Sequence, residues 1–271
     1  MCNVAATVTT DLASAGHVAW PAVLVLLPPS ETKAAGGEGS PLDLSGLTAA
    51  DTLTAVRAPL AESLVGLADD VPASRRALGL SPAQDGEIAR NATLLTSPTR
   101  PAVERYTGVL YDALDVRSMT RAQRSRAGRR LAIASALFGL VRADDPIPAY
   151  RLSAGSTLPG QPTLRTLWRP ALSPVLAGVD GLVVDLRSGS YAELAPLPEA
   201  VTVQVLGERA DGSRTVVSHA SKAHKGRLAR LLATTTGEPD GVVRLRALLR
   251  RAGLHVEHPG GSRLTLVVPV P

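Results

Sequence analysis

Two short, largely apolar runs do most to limit what this chain can fold into. Val23-Leu24-Val25-Leu26-Leu27 is closed by Pro28-Pro29, and Gly181-Leu182-Val183-Val184-Asp185-Leu186 by Arg187-Ser188-Gly189. Each is short and lacks a wet face, so each reads as a strand covered on both sides. Both end in polar turns, Ser30-Glu31-Thr32-Lys33 in the first case and Arg187 to Tyr191 in the second. The carboxyl ends of buried strands are where α/β sheets place ligands.

The remaining segments alternate helix and strand patterns. Leu53, Val56, Leu60, Leu64 and Leu67 predict a helix over Ala49–Ala68, which Pro59 would interrupt or restart. Further helices are predicted from Ser81-Pro82, over Ala102–Leu114, Leu164–Leu176, His219–Ala233 and Val242–Arg251. Thr120–Leu140 reads as one long helix, capped by Thr120. Arg121, Arg124, Arg126, Arg129 and Arg130 crowd its first half, and Leu131, Ile133, Leu137 and Phe138 fill its second. Such a charge run is either a solvated face or a phosphate-facing surface. Val201–Leu206 alternates as a half-wet strand, Asp211-Gly212 signals a hairpin and Arg214–Ser218 returns beside it; a last strand is expected near Leu264–Val268. The fold class is therefore α/β: a mixed central sheet with surrounding helices in one compact domain over residues 22–271. Residues 1–21 lack periodicity and are expected to be a disordered tail or extension, with no secretory signal pattern.

Ser135–Gly155 carries an unusual density of chemistry for a connection. It leaves an apolar helix end, turns at Gly139, and presents Arg142, Asp144 and Asp145. Pro146 and Pro148 then hold it extended as far as Tyr150, Arg151 and Ser153. Prolines lower the entropy lost on ordering, so this is either a rigid ligand-facing loop or a buried loop with internal Arg–Asp pairs.

Composition narrows the function classes. Aromatics are 3% of the chain, so the core must be built from Leu, Val and Ala, and each aromatic merits a reason. The net charge of +5 is compatible with a cleft for phosphates or nucleic acid. Cys2 is the single cysteine, which removes intrachain disulfides and cysteine zinc sites and makes the cytoplasm the expected compartment. No apolar run approaches the roughly 20 residues of a membrane span. The five histidines lack metal-ligand spacing, and neither a metal nor a cofactor is expected. Walker, Rossmann and Gly-x-Ser-x-Gly patterns are missing. What remains is a set of cations and hydroxyls at predicted element ends: Ser30, Lys33, Arg142, Arg151, Arg187, Ser188, Lys222 and Lys225. Their convergence would make a positive cleft suited to phosphate oxygens; if scattered, they are surface charges.

Four segments, in order, resemble the YaaA-type peroxide stress protein family. They are Leu26–Lys33, the Glu104–Tyr111 stretch with its Tyr-x-Gly-x-x-Tyr-like pattern, Ser135–Leu140 running on to Tyr150-Arg151, and Ser218–Gly226 with Lys222, Lys225 and Gly226. The resemblance implies a cytosolic protein that protects against hydrogen peroxide, partly by limiting damage from free iron. It implies a mixed α/β fold with a basic cleft, to which Tyr106, Tyr111 and Tyr150 would contribute. It also implies sequence-independent binding of duplex or branched DNA, linked in the family to a helix-hairpin-helix element for which the turn at Gly139 is a candidate. Ala220 stands where the family often has an aromatic. A small-molecule enzyme or binding protein for a nucleotide-like, phosphorylated or carboxylate ligand is the alternative reading of the same cleft.

Overall fold

The computed structural model describes residues 19–216 and 218–270. Strand β1 (Val23–Leu27) leads through a long loop into α1 (Ala50–Leu67), α2 (Val71–Leu78) and α3 (Asp85–Ala92). A two-residue strand β2 (Arg100–Pro101) precedes the short helices α4 (Ala102–Arg105) and α5 (Val109–Leu114). Then come α6 (Arg121–Arg130), β3 (Leu131–Ser135), β4 (Gly139–Arg142) and β5 (Pro146–Ile147). The second half runs α7 (Leu164–Ala177), β6 (Leu182–Asp185), α8 (Gly189–Ala192), β7 (Val201–Glu208) and β8 (Arg214–Val216). It closes with α9 (Ser218–Thr234), α10 (Val242–Arg251), β9 (Val256–Gly260) and β10 (Arg263–Pro269).

The main sheet has the order β4-β3-β1-β6-β7-β10-β9, with β8 added to β7. The five central strands are parallel, while β4, β8 and β9 pair antiparallel. This is the mixed α/β sheet expected from the sequence, with no closed barrel. Every residue of β1 is at most 1% exposed, so both faces are covered. Helices α5, α6 and α9 pack together, with α6 and α9 touching β1; α1 packs against α2, α3 and α7.

Several local expectations change. The predicted Thr120–Leu140 helix stops at Arg130, and its apolar half is the β3–β4 hairpin. A run buried on all sides has no periodicity to separate strand from helix, and pairing with β1 decides in favour of strand. Gly139 therefore opens the second strand of a β-hairpin, with no helix on either side of the turn, and is no helix-hairpin-helix turn. Its φ is +72°, and a Cβ there would meet the Trp168 ring at 2.6 Å. Helix α1 passes through Pro59 unbroken. The predicted Ala102–Leu114 helix is split at Tyr106–Gly108. The return strand stops at Val216; Val217 lies outside the described residues, and Ser218 already begins α9. The strand β9 was not anticipated. The tail expected at 1–21 lies outside the described residues as far as Val18; Trp20 packs against the core.

Gly226 explains one position of the late motif. Helix α9 crosses α5 so closely that a Cβ at Gly226 would meet the Leu110 carbonyl oxygen at 2.2 Å. Backbone cannot yield as a flexible side chain can. Gly226→Ala is expected to destabilise the fold by about 1–3 kcal/mol, read as a lower urea midpoint with an unchanged m value.

Candidate functional site

The carboxyl ends of β1, β3 and β6 lie side by side, because β1 is paired in parallel with both neighbours. After β1, Pro28 and Pro29 turn the chain into Ser30–Lys33. Lys33 forms an antiparallel bridge with Tyr106, and Ala34 N–H donates to the Arg105 carbonyl at 2.8 Å. Thr107 N–H donates to Ser30 Oγ at 3.2 Å, and the Thr107 hydroxyl donates to Thr32 Oγ1 at 3.0 Å. Arg105, fully buried, ties this loop down through carbonyl oxygens: Ile147 at 3.1 Å, Gly36 at 2.7 Å, Pro98 at 3.1 Å, and Ala34. Arg57 does the same for the β3–β4 hairpin, donating to Phe138 O at 3.0 Å and Leu140 O at 2.8 Å. Arg57 carried no sequence signal, standing inside a helix pattern like any surface residue, and Arg105 lay within the Glu104–Tyr111 stretch without being singled out from it.

Six predicted site residues meet here. The Lys33 amine lies 4.3 Å from the Tyr150 ring centre and 5.4 Å from that of Tyr106. It donates to the Ser30 and Glu31 carbonyl oxygens at 3.1 and 3.3 Å. The Tyr106 and Tyr150 hydroxyls are 2.8 Å apart, and Tyr150 reaches Ser135 Oγ at 2.7 Å. Ser135 Oγ in turn accepts from Phe138 N–H at 2.9 Å. Tyr111 stacks on Tyr106 at 5.5 Å and donates to Pro28 O at 2.8 Å. Arg151 donates to the exposed Glu31 carboxylate at 3.0 Å, while its backbone is pinned by the Asn91 amide at 2.8 and 3.0 Å. Tyr191, Glu31 and Ser135 belong to the group and were outside the predicted set; Tyr191 accepts from Ala154 N–H at 3.3 Å.

The other candidates are placed differently. Arg187 is locked in a two-point pair with Asp185, at 2.9 and 2.7 Å, and reaches the Ala195 carbonyl. Lys225 donates to Leu186 O at 3.2 Å, also at the end of β6. Beside it, a hollow of about 310 Å³ is lined by Thr202, Gln204, Ser221 and Arg263. Ser188 and Lys222 are exposed, Ser188 just ahead of α8 and Lys222 one turn before Lys225. Arg142 does not join the group. Strand β4 runs back toward the amino end of β3, and there its guanidinium lies 5.1 Å from the Trp20 ring and donates to Ala19 O. The arginine run on α6 is mostly used internally: Arg124 pairs with Asp144, Arg126 reaches Thr234 O, and Arg130 holds Leu232 and Thr235 carbonyls. A hollow of about 1020 Å³, lined in part by Trp20, Val183 and Val201, lies at the opposite, amino edge of the sheet. Among the described residues no group of three His, Cys, Asp or Glu is placed to hold a metal ion, and no helix is long and apolar enough to cross a membrane.

The electrostatics are dominated by burial. Desolvation, and then the Arg151 charge, push the Lys33 amine down to about 7; Glu87 and Glu31 pull it up and Arg90 adds to the fall. Burial pushes the Tyr106, Tyr111 and Tyr150 hydroxyls above their ordinary range, and Tyr191 up to about 12, so all four keep their protons. The arrangement is thus a neutral or easily neutralised amine beside protonated hydroxyls and a guanidinium. Above the folded value the unfolded chain holds a proton on Lys33 that the folded chain has lost, so stability rises with pH. The window runs from about pH 7 to 9, below the range in which unfolded tyrosines ionise. Lys33→Met is expected to flatten this rise in urea titrations across that window, and an unchanged slope would refute the assignment.

One further count separates these lysines. Only three of the 29 Lys and Arg residues are lysines, and all three are Lys33, Lys222 and Lys225. In a chain that otherwise uses arginine for positive charge, this was the available sequence signal. A profile of the family described as Peroxide stress protein YaaA matches residues 23–257. A UPF0246 protein of Corynebacterium efficiens is 47% identical over 252 residues, covering 92% of this chain and all of that protein. A UPF0246 protein of Streptomyces coelicolor is 46% identical over 242 residues, covering 87% of this chain and 92% of that protein. Four ordered motifs, the matching profile and full-length relatives agree: this chain belongs to the YaaA peroxide stress protein family, also designated UPF0246.

Proposed function

We propose that this chain is a cytoplasmic peroxide-stress protein whose working part is an anion-receiving site at the carboxyl ends of β1, β3 and β6. The observation that carries the reading is the state of Arg151. Its side chain is 12% exposed, yet its one side-chain partner among the described residues is Glu31, which is 72% exposed. A partly buried guanidinium held by a solvent-facing carboxylate can exchange that carboxylate for one from a ligand, or for a phosphate. Tyr191 lies close enough for Arg151 and Glu31 to act on its hydroxyl, and Lys33 is near enough to feel the Arg151 charge. Inorganic phosphate and pyrophosphate are expected to raise the melting temperature, because a ligand of the native state stabilises it by about 2.7 kcal/mol at a hundredfold excess over Kd. Arg151→Gln should abolish the shift. Wild-type protein that melts at one temperature with and without every such anion would remove this reading.

A second reading, sequence-independent binding of duplex or branched DNA, has separate support. Lys222 and Arg227 stand exposed on α9, and the chain carries a net +5. Duplex phosphates can approach those side chains, but not Lys33, which is 7% exposed. Binding should weaken linearly in log salt, and Lys222→Ala should lower the slope by about one if that lysine neutralises a phosphate. Absence of binding at low salt rejects the DNA reading and leaves the anion site untouched. Protection against iron-linked damage is supported by the family resemblance alone.

A further inference from the structure

We propose that Lys33 is a nucleophilic amine that condenses with the carbonyl group of a small anionic ligand, an aldehyde or 2-oxo acid whose carboxylate is held by Arg151. The inference deepens the anion-site reading and rests on it for the ligand's charge.

Four observations place the reaction at this amine. Lys33 is buried, and among the described residues no carboxylate lies within ion-pair distance of it. A lysine kept for its charge is normally exposed or paired. Its two polar contacts are both carbonyl acceptors, Ser30 O and Glu31 O. They match the two hydrogens of a neutral amine and leave its lone pair free. Burial and the nearby Arg151 charge complete a setting that disfavours the protonated form, which the faces of Tyr106 and Tyr150 offset only in part. The composition then separates lysine from a mere cation. With 26 arginines against three lysines, a position that needed only positive charge had arginine as its common solution. Arginine cannot be deprotonated in a protein, so it cannot do this chemistry.

The step balances without an added oxidant or reductant. The Nζ lone pair attacks the carbonyl carbon, and the C=O π pair moves to oxygen, which takes up a proton. The nitrogen loses a proton, giving a carbinolamine. A second proton on the oxygen lets it leave as water while the nitrogen pair forms the C=N bond. Loss of the last N–H proton gives a neutral imine, or its retention an iminium. Water entering with the ligand can carry these protons, and the amine faces the rings of Tyr106 and Tyr150, whose hydroxyls continue to Ser135 at 2.8 and 2.7 Å.

Three lysines make the test direct. The full-length protein is incubated near neutral pH with glyoxylate and cyanoborohydride, which reduces any imine to a stable secondary amine. Peptide mass spectrometry then reports the rate at each lysine. Lys33 is expected to be alkylated at least about tenfold faster than Lys222, although Lys222 is the more exposed of the two. Lys33→Arg should leave only slow labelling at Lys222 and Lys225. Labelling fastest at Lys222 with Lys33 silent overturns the proposal, and this wild-type comparison decides even if Lys33→Arg fails to fold. The two readings fail separately. Phosphate stabilisation that depends on Arg151, together with a silent Lys33, keeps the anion site and rejects the amine. Rapid Lys33 labelling in a protein that no anion stabilises supports the amine and rejects the anion site.

Discussion

Parallel pairing of β1 with two neighbours is the constraint on which the rest of the molecule depends. Its five aliphatic residues are all at most 1% exposed. Each such burial contributes about 1.5–3 kcal/mol, so the strand cannot be displaced without losing the core. Because β3 and β6 run in the same direction on either side, their carboxyl ends arrive at one edge. Part of the site then follows from what comes next along the chain: Ser30–Lys33 after β1, Ser135 closing β3, and Tyr191 after β6. Residues from three distant stretches share a site because three strands share a direction.

At that edge the balance of burial and charge is unlike that of the rest of the surface. Elsewhere, cations are matched in the ordinary way, as with Arg214 between Glu208 and Glu257 or Arg187 on Asp185. Lys33 has instead aromatic faces and carbonyl dipoles. Ring quadrupoles recover part of the lost hydration of an ammonium, though less than a carboxylate would. The few aromatics of this chain are concentrated accordingly. Tyr106, Tyr111 and Tyr150 form one contiguous group with Phe138 on its flank.

How far the molecule could be read from its residues varied with the kind of signal. The apolar strands around Val23 and Val183 and the helices over Leu164–Ala177 and Ser218–Thr234 announced themselves through length and period, though only the first strand is buried on both faces and β6 is part-exposed. The hairpin after Arg130 did not, because Leu131–Leu140 is apolar throughout and pairing, not local pattern, decides between helix and strand. Lys33, Tyr106, Tyr111, Tyr150 and Arg151 could be named from motif segments. Arg142, in the same stretch as Tyr150, ended at the amino edge of the sheet because antiparallel β4 carries it back beside Ala132 near the start of β3. The structural use of Arg57 and Arg105 was not legible: an arginine that spends its charge on carbonyl oxygens is defined by a partner far away in the chain.

Those two guanidiniums also limit how the site can move. Between them they fasten the Ala34–Gly36 loop, the Pro98 turn, the segment at Ile147 and the turn and second arm of the β3–β4 hairpin. Peeling back any one of these would strand a buried charge, so the walls around Lys33 behave as a rigid frame. A guest must therefore enter by swinging side chains at the rim, Glu31 foremost, and the occupied and vacant proteins should share one backbone.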